Sequence, residues 1–417
     1  MPQTVIQKII ARAASKKAVA AGDKLWCRVD LSVMRDFGGP NVILDYKEAF
    51  GDRPLVHPKQ VAITFDLHLP ARDTTVATNQ RALREFAKAS GALLFDIETG
   101  VGQHNLLEEG HVRPYDVIVG TDSHMNLLGA VGAFATGTGT TDLVASMATG
   151  KLWFRVPDTH LYTVTGRFGR RVGAKDLILH ILSEVKTEGL LYKAVEFQGP
   201  TVDRMDLSGR ITLLSMVTEM SGKIGFTPPS EEVMEFLRKR TGKVQRRWDA
   251  DEGATYEARR EWSVKDLPPM VAKPHSPDNV APVDTLKGVH IDQSFIGSCT
   301  NGRFEDLKAA ADVLRGETVA KGTRLIVTPA TSHVAKEALA AGLYKVFMAA
   351  GAVITNPSCA LCTIGHPGVL APKDVTVSTS NRNFPGKIGK GGEVYLVSPQ
   401  TAAASAIYGE ITDPRGV

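Results

Sequence analysis

Several short β-branched or apolar runs in this chain stop abruptly on polar, chemically capable residues. VAITF (61–65) stops on Asp66-Leu67-His68, and DVIVGT (116–121) on Asp122-Ser123-His124. VHIDQSFIGS (289–298) runs into Cys299-Thr300-Asn301, and AVIT (352–355) into Asn356-Pro357-Ser358-Cys359. VTVSTS (375–380) ends in Asn381-Arg382-Asn383. Between these runs the apolar spacing predicts helices over 79–90, 175–186, 304–314 and 332–341. In the third of these, Phe304, Leu307, Ala311 and Leu314 recur every three or four positions and build one buried face. Strand-like runs alternating with such helices predict an α/β protein of parallel strands and crossover helices. Ligands of such folds sit beyond the carboxyl ends of the strands. The repeated polar endings therefore predict one site assembled from several loops.

Five prolines (Pro268, Pro269, Pro274, Pro277, Pro282) crowd into 263–285, which suits an extended connector between units. We read 1–285 as two intertwined domains ending in that connector, and 286–417 as a third α/β unit. The segment 231–259 is charged and reads as a helical surface. No internal repeat has a fixed period.

Composition narrows the class. With 43% hydrophobic and 23% charged residues, the 417-residue chain can bury sizeable cores. Lys and Arg number 49 against 45 Asp and Glu, a balance of +4 that argues against nucleic acid or an anionic membrane as the main partner. The longest apolar run, 127–135, is too short to span a bilayer, and no signal peptide is evident, so the reading is a cytoplasmic protein.

Four cysteines are no disulfide framework in a chain this long. Cys27 lies in the strand-like KLWCRVDL and reads as a packed thiol. Cys359-Ala360-Leu361-Cys362 is a CxxC with a third thiol, Cys299, far upstream. Three thiolates suit a [4Fe–4S] cluster with one iron left without a protein ligand, which can act as a Lewis acid. Taken alone, the same residues fit a zinc site or buried thiols somewhat better than a cluster.

The surroundings are more specific. SFIGSCTNGR (294–303) and STSNRNF (378–384) resemble signature segments of the aconitase superfamily, within it the large subunits of the 3-isopropylmalate dehydratase and homoaconitase branch. The resemblance extends along nearly the whole chain, through GDKLWCRVDLSV, VIVGTDSH, GAFATGTGTTD, YKAVEFQG, KPHSPDNV and YLVSPQTAAASAIYGEITDP. It implies three intertwined α/β/α domains of the aconitase type, without the swivelling fourth domain of single-chain members. It also implies a [4Fe–4S] cluster held by Cys299, Cys359 and Cys362, and the reversible dehydration of a hydroxy acid bearing carboxylates. The nearest activity is isomerisation of 2- and 3-isopropylmalate. Siblings are hydration of homoaconitate, of a methyl-substituted maleate or of another specialised dicarboxylate, and an iron-responsive RNA-binding protein is the rival of another class.

Position by position, the resemblance gives Asp66, Asp122, His124 and Glu219 catalytic roles. Arg382, Lys387, Asn381, Ser123, His68 and His104 are the substrate contacts it implies. Each has a plainer explanation when taken alone: Asp66 or Asp122 as a helix cap, Arg382 as a surface ion pair, Glu219 on a solvated helix face. The departures are informative. Asp66-Leu67-His68 replaces an Asp-His pair, and Gln103 stands where a His is usual, with His104 beside it. Ser358-Cys359-Ala360-Leu361-Cys362 replaces a Gly-Cys-Gly-Pro-Cys segment and implies a different backbone wrap. Lys387 replaces an arginine and keeps the charge without the planar fork. These changes predict a pocket altered for a substrate with fewer or different anionic groups, with tolerated drift and weak activity as the alternative; the substrate class the resemblance implies is a small dicarboxylate or tricarboxylate. A separate small subunit, in a heterodimer or heterotetramer, is expected to carry the swivelling domain and complete the site.

Overall fold

The computed structural model describes residues 1–242 and 246–417. Its architecture is α/β, with three sheets and a short ribbon. The first sheet has five parallel strands in the order Leu93–Phe95, Val61–Thr64, Leu31–Arg35, Val117–Gly120, Phe134–Gly137. The two strands flanking the middle one are buried along their whole length, and the middle strand is buried up to Arg35, as expected for a parallel sheet covered on both faces.

Alternation along these strands decides what each face meets. Met34, Ile63 and Val119 point to one side, where Val42, Leu83 and Leu143 of the helices Gly39–Phe50, Thr74–Ser90 and Thr140–Thr149 cover them. Val33, Ala62 and Ile118 point to the other, into an apolar cluster that contains Cys299, Cys359 and Cys362. The three thiols are thus packed against the first sheet although their chain segments belong to the third.

The second sheet is parallel throughout, in the order Ile224–Phe226, Ala194–Gln198, Thr159–Thr165, Ala258–Ser263. The third has seven strands. Five are parallel (Glu393–Leu396, Val375–Ser378, Gln293–Ile296, Arg324–Val327, Val353–Ile354). Two more, Met270–Ala272 and Val280–Pro282, join antiparallel at one edge. Those two lie in the proline-rich segment 263–285, which is extended and contributes to the third sheet. Of its prolines only Pro282 lies in a strand, the edge strand, which need not donate on both sides; the others lie outside the strands.

The predicted helices form at Thr74–Ser90, Ala174–Val185, Phe304–Leu314 and Ser332–Ala340. The first begins five residues earlier than its apolar spacing indicated, because Asp73 caps it through the Val76 amide. Lys24–Arg28 pairs antiparallel with Lys151–Arg155, and Cys27 is buried opposite Leu152. Among the described residues no helix is long and apolar enough to cross a membrane.

The carboxyl ends of the first and third sheets meet. The Cys359 amide donates to the Asp66 carbonyl at 2.7 Å, Val101 N to Ala330 O at 2.8 Å, and the Asn356 amide to Leu69 O at 2.7 Å.

Candidate active site

At that seam the polar strand endings form one continuous chain of charge. Arg35, the last residue of Leu31–Arg35, donates through Nε and Nη2 to Asp66 Oδ1 at 2.9 and 2.6 Å. Its Nη1 reaches Asp122 Oδ2 at 2.5 Å. The other Asp66 oxygen accepts from the Gly102 amide at 3.1 Å. Asp122 Oδ1 accepts the His124 backbone N–H at 2.7 Å, and His124 Nδ1 lies 3.5 Å from the same oxygen. His124 Nε2 is 2.8 Å from Glu219 Oε1, and Arg382 Nε donates to both Glu219 oxygens at 2.8 and 3.0 Å.

Charges alternate along this chain, and burial makes each one depend on its neighbours. Burial pushes the Asp66 carboxyl up to about 7, Arg35 opposes the rise, and the charges of Asp36 and Asp122 add to it. Burial also works against an ionised Asp122, but Arg35 and His124 outweigh it and hold the group well below the usual carboxylate range. His124 goes the other way. Burial disfavours its charge, yet the hydrogen bonds to Asp122 and Glu219 raise it to about 9, so the ring is an imidazolium at neutral pH.

The three thiols lie beside this chain. Cys359 is within hydrogen-bonding reach of both Cys299 and Cys362; the Cys299 contact and burial push Cys359 well above the ordinary thiol value against the opposing Cys362 contact, and the Cys359 contact with burial raises Cys362 likewise. All are buried and free of disulfides. The Cys299 thiol faces Asn381 Oδ1 at 3.7 Å, and the Thr300 hydroxyl donates to that same oxygen. Arg35, His124 and Lys387 act electrostatically on the Cys359–Cys362 pair. Among the described residues, no three His, Cys, Asp or Glu side chains are arranged to hold a single metal ion. Three converging sulfurs without a fourth donor suit a multi-iron group better than a closed zinc site.

Ala360, between the two close cysteines, adopts φ +50°. Alanine here therefore sits in a left-handed backbone, at a steric cost that glycine would not bear.

The two displaced histidines occupy different settings. His68 places Nδ1 2.9 Å from the Gly365 carbonyl, three residues beyond Cys362, and donates to it. A Cβ at Gly365 would lie 2.1 Å from the His68 ring, so only glycine allows that approach. His104 has both nitrogens engaged: Nε2 with the Cys299 carbonyl at 2.8 Å and Nδ1 with Arg303 Nη1 at 3.3 Å. Burial and the Arg303 charge push it down to about 3, so the ring is neutral and braces the Cys299 turn. Gln103 is buried with neither amide atom paired. Ser123 is exposed; its carbonyl accepts from Thr218.

The structure thus joins Asp66, Asp122, His124, Glu219 and Arg382 into one network, with Asn381 and Lys387 at the thiols. Sequence reasoning missed Arg35, although LSVMR-Asp36 has the same apolar-run-then-polar form that singled out its neighbours. It also missed Lys175, which is fully buried and donates to the Thr379 and Ser380 carbonyls at 2.9 and 2.7 Å. Nothing in KDLILHIL separates Lys175 from an ordinary helix lysine.

Two facing α/β sheets that gather buried thiols and a carboxylate–imidazole–guanidinium chain at their carboxyl ends define a multi-unit enzyme-like architecture. The profile of the Aconitase family (aconitate hydratase) matches residues 7–288 and 284–409, and the chain belongs to that family. It is 47% identical to the 3-isopropylmalate dehydratase large subunit 1 of Methanopyrus kandleri, over all of this chain and 99% of that one. It is 42% identical to the probable methanogen homoaconitase large subunit of Methanothermobacter thermautotrophicus, over 98% and 97% of the two chains. Aconitase X of Thermococcus kodakaraensis shares the fold at a TM-score of 0.52 and 13% identity, over 90% of this chain and 89% of that one.

Proposed function

We propose that this chain is the large, catalytic subunit of a [4Fe–4S] hydro-lyase that interconverts 2- and 3-isopropylmalate by dehydration and rehydration. The observation that carries this reading is the convergence of Cys299, Cys359 and Cys362 beside the charged chain from Asp66 to Arg382. Those cysteines would hold the cluster, which when bound supplies an electrophilic iron to a substrate hydroxyl.

The remaining work falls to the polypeptide. His124 is held as a cation by Asp122 and Glu219 and is the proton donor for the departing hydroxyl. Glu219 also fixes Arg382 through Nε, leaving both Nη groups to grip a substrate carboxylate as a fork. Lys387 meets a second carboxylate as a point charge, with Asn381, Ser123 and His68 completing the polar lining. Arg35 keeps Asp66 and Asp122 in register, so that the acid–base groups are oriented before substrate arrives. His104 supports Cys299 from behind. Excision of the hydroxyl also needs a base for the neighbouring C–H, and that group is assigned to a small subunit, in keeping with relatives named large subunits.

The homoaconitase relative makes homoaconitate hydration the sibling reading. An anaerobic assay of the chain paired with its small subunit decides between them. We expect turnover of 2-isopropylmalate above that of homoaconitate, citrate and dimethylmaleate. Turnover confined to one of the others transfers the assignment to it, and no turnover of any removes the hydro-lyase reading.

A further inference from the structure

The segment SFIGSCTNGR ends on Arg303, a buried cation that no step proposed above uses. Its backbone is pinned at the start of Phe304–Leu314, where its N–H donates to Asp306 Oδ2 at 3.1 Å. From there the side chain reaches into the rest of the molecule. Nε donates to the Ser208 hydroxyl at 3.2 Å, on the helix Leu207–Ser215. Nη1 lies 3.3 Å from His104 Nδ1 and 3.4 Å from Glu108 Oε1, both on the helix Gly102–Glu108. Glu108 Oε1 also accepts from the Thr331 hydroxyl at 3.1 Å, so the guanidinium is held at a fixed point.

That point decides where the His104 proton sits. A guanidinium has only donors, so Nδ1 presents its lone pair to Arg303. A carbonyl oxygen has only lone pairs, so Nε2, 2.8 Å from the Cys299 oxygen, carries the hydrogen. Both constraints select the same neutral tautomer. With the proton on Nδ1 instead, two N–H groups would oppose each other at Arg303 and two lone pairs at Cys299. The turn held in this way needs an outside grip. Ser298, just before Cys299, has φ +71°, a left-handed backbone that a side chain disfavours.

We propose that Arg303 is a positioning residue: it fixes the Nε2–H tautomer of His104 and, through that ring, the backbone of Cys299. The sulfur is thereby set before any metal arrives. Ser208, Glu108 and Thr331 serve Arg303, so the position of one thiol is tied to three separate parts of the chain. A fixed Cys299 matters as a ligand only on the function proposed above, whereas the tautomer does not depend on that reading.

The test reads the tautomer in the metal-free full-length chain labelled with 15N-histidine, because long-range 15N–1H correlation distinguishes the two ring nitrogens. The His104 signals are assigned by their loss in His104→Gln, and Nε2–H is the one form expected. Arg303→Met is made together with Glu108→Gln, so that no uncompensated charge is left buried. The pair is expected to mix the two tautomers, and Glu108→Gln alone to leave Nε2–H unchanged. In the anaerobically reconstituted chain the pair is expected to speed iron loss to bipyridine about three- to tenfold, the range of one lost hydrogen bond. In a His104→Gln background it should add nothing, since that amide donates to a carbonyl without having tautomers. Three results would overturn the proposal: Nδ1–H in the unsubstituted chain, Nε2–H alone after the paired substitution, or iron loss accelerated equally in both backgrounds. A chain that takes up no iron counts against the proposed function, and the spectrum still decides the role of Arg303.

Discussion

Removing the Arg35 guanidinium would leave Asp66 and Asp122 buried side by side without their shared counter-ion. Breaking one partner of a buried ion pair costs about 3–5 kcal/mol, so Arg35→Met is expected to lower the urea unfolding free energy of the metal-free chain by that amount. Arg35→Lys keeps the charge but cannot span both carboxylates, and its loss should be smaller. His124 gives a pH signature. Its raised value contributes stability that is complete below the unfolded value of 6.5 and is lost as pH rises through about 9. An NMR titration of the metal-free chain should place the His124 midpoint near 9, and Glu219→Gln should move it down. A midpoint unaffected by that substitution would contradict the charge chain described above. At this scale, reading the sequence found the titrating groups but missed the cation that binds them together. Asp66 and Asp122 stood out as acids after apolar runs, whereas Arg35 counts as an ordinary strand end until burial turns it into a bridge.

Among the elements, the short segments that present the thiols carry the local strain. Ala360 at φ +50° is an alanine in a conformation that disfavours a Cβ by about 1–2 kcal/mol, against a smaller entropic cost for glycine. Ala360→Gly is therefore expected to raise the stability of the metal-free chain by up to about 1 kcal/mol in chemical denaturation. Gly102 behaves oppositely. A Cβ there would lie 2.5 Å from the Thr64 side chain, next to the amide that holds Asp66, so Gly102→Ala should cost about 1–3 kcal/mol through overpacking. The strand ends and helices singled out in the sequence were legible because their apolar periodicity is strong, as in Phe304–Leu314, where expectation and structure coincide, whereas helices such as Val5–Ala13 and Gly39–Phe50 were not singled out. The start of Thr74–Ser90 was not, because its first turn is polar and is set by the Asp73 cap. The edge strands of the proline-rich segment escaped for a related reason: proline signals an interruption, and their pairing is decided by a distant partner, Leu396.

For the whole molecule, the decisive relation is between sheets that are remote in sequence. The meeting of the thiols with the Asp66–Arg382 chain depends on the first and third sheets facing each other, and no local pattern encodes that. The polar strand endings foretold one site assembled from several loops, but which of them meet, and against which sheet the thiols pack, is set by tertiary packing. Replacing any one of Cys299, Cys359 and Cys362 by serine should sharply reduce the iron and sulfide that the anaerobically reconstituted chain retains, whereas Cys27→Ser should not, since Cys27 is packed opposite Leu152 in the ribbon. Equal retention in all four variants would remove the assigned ligand set.

The backbone bond from Cys359 to Asp66 has a consequence for biogenesis. Two of the three sulfurs, Cys359 and Cys362, are translated long after the strand end at Asp66 on which they rest. On the proposed ligand set, iron–sulfur loading waits for Cys362 to be made and docked, and a product cut short of Cys359 would carry Asp66 and Asp122 without two of the three proposed ligands.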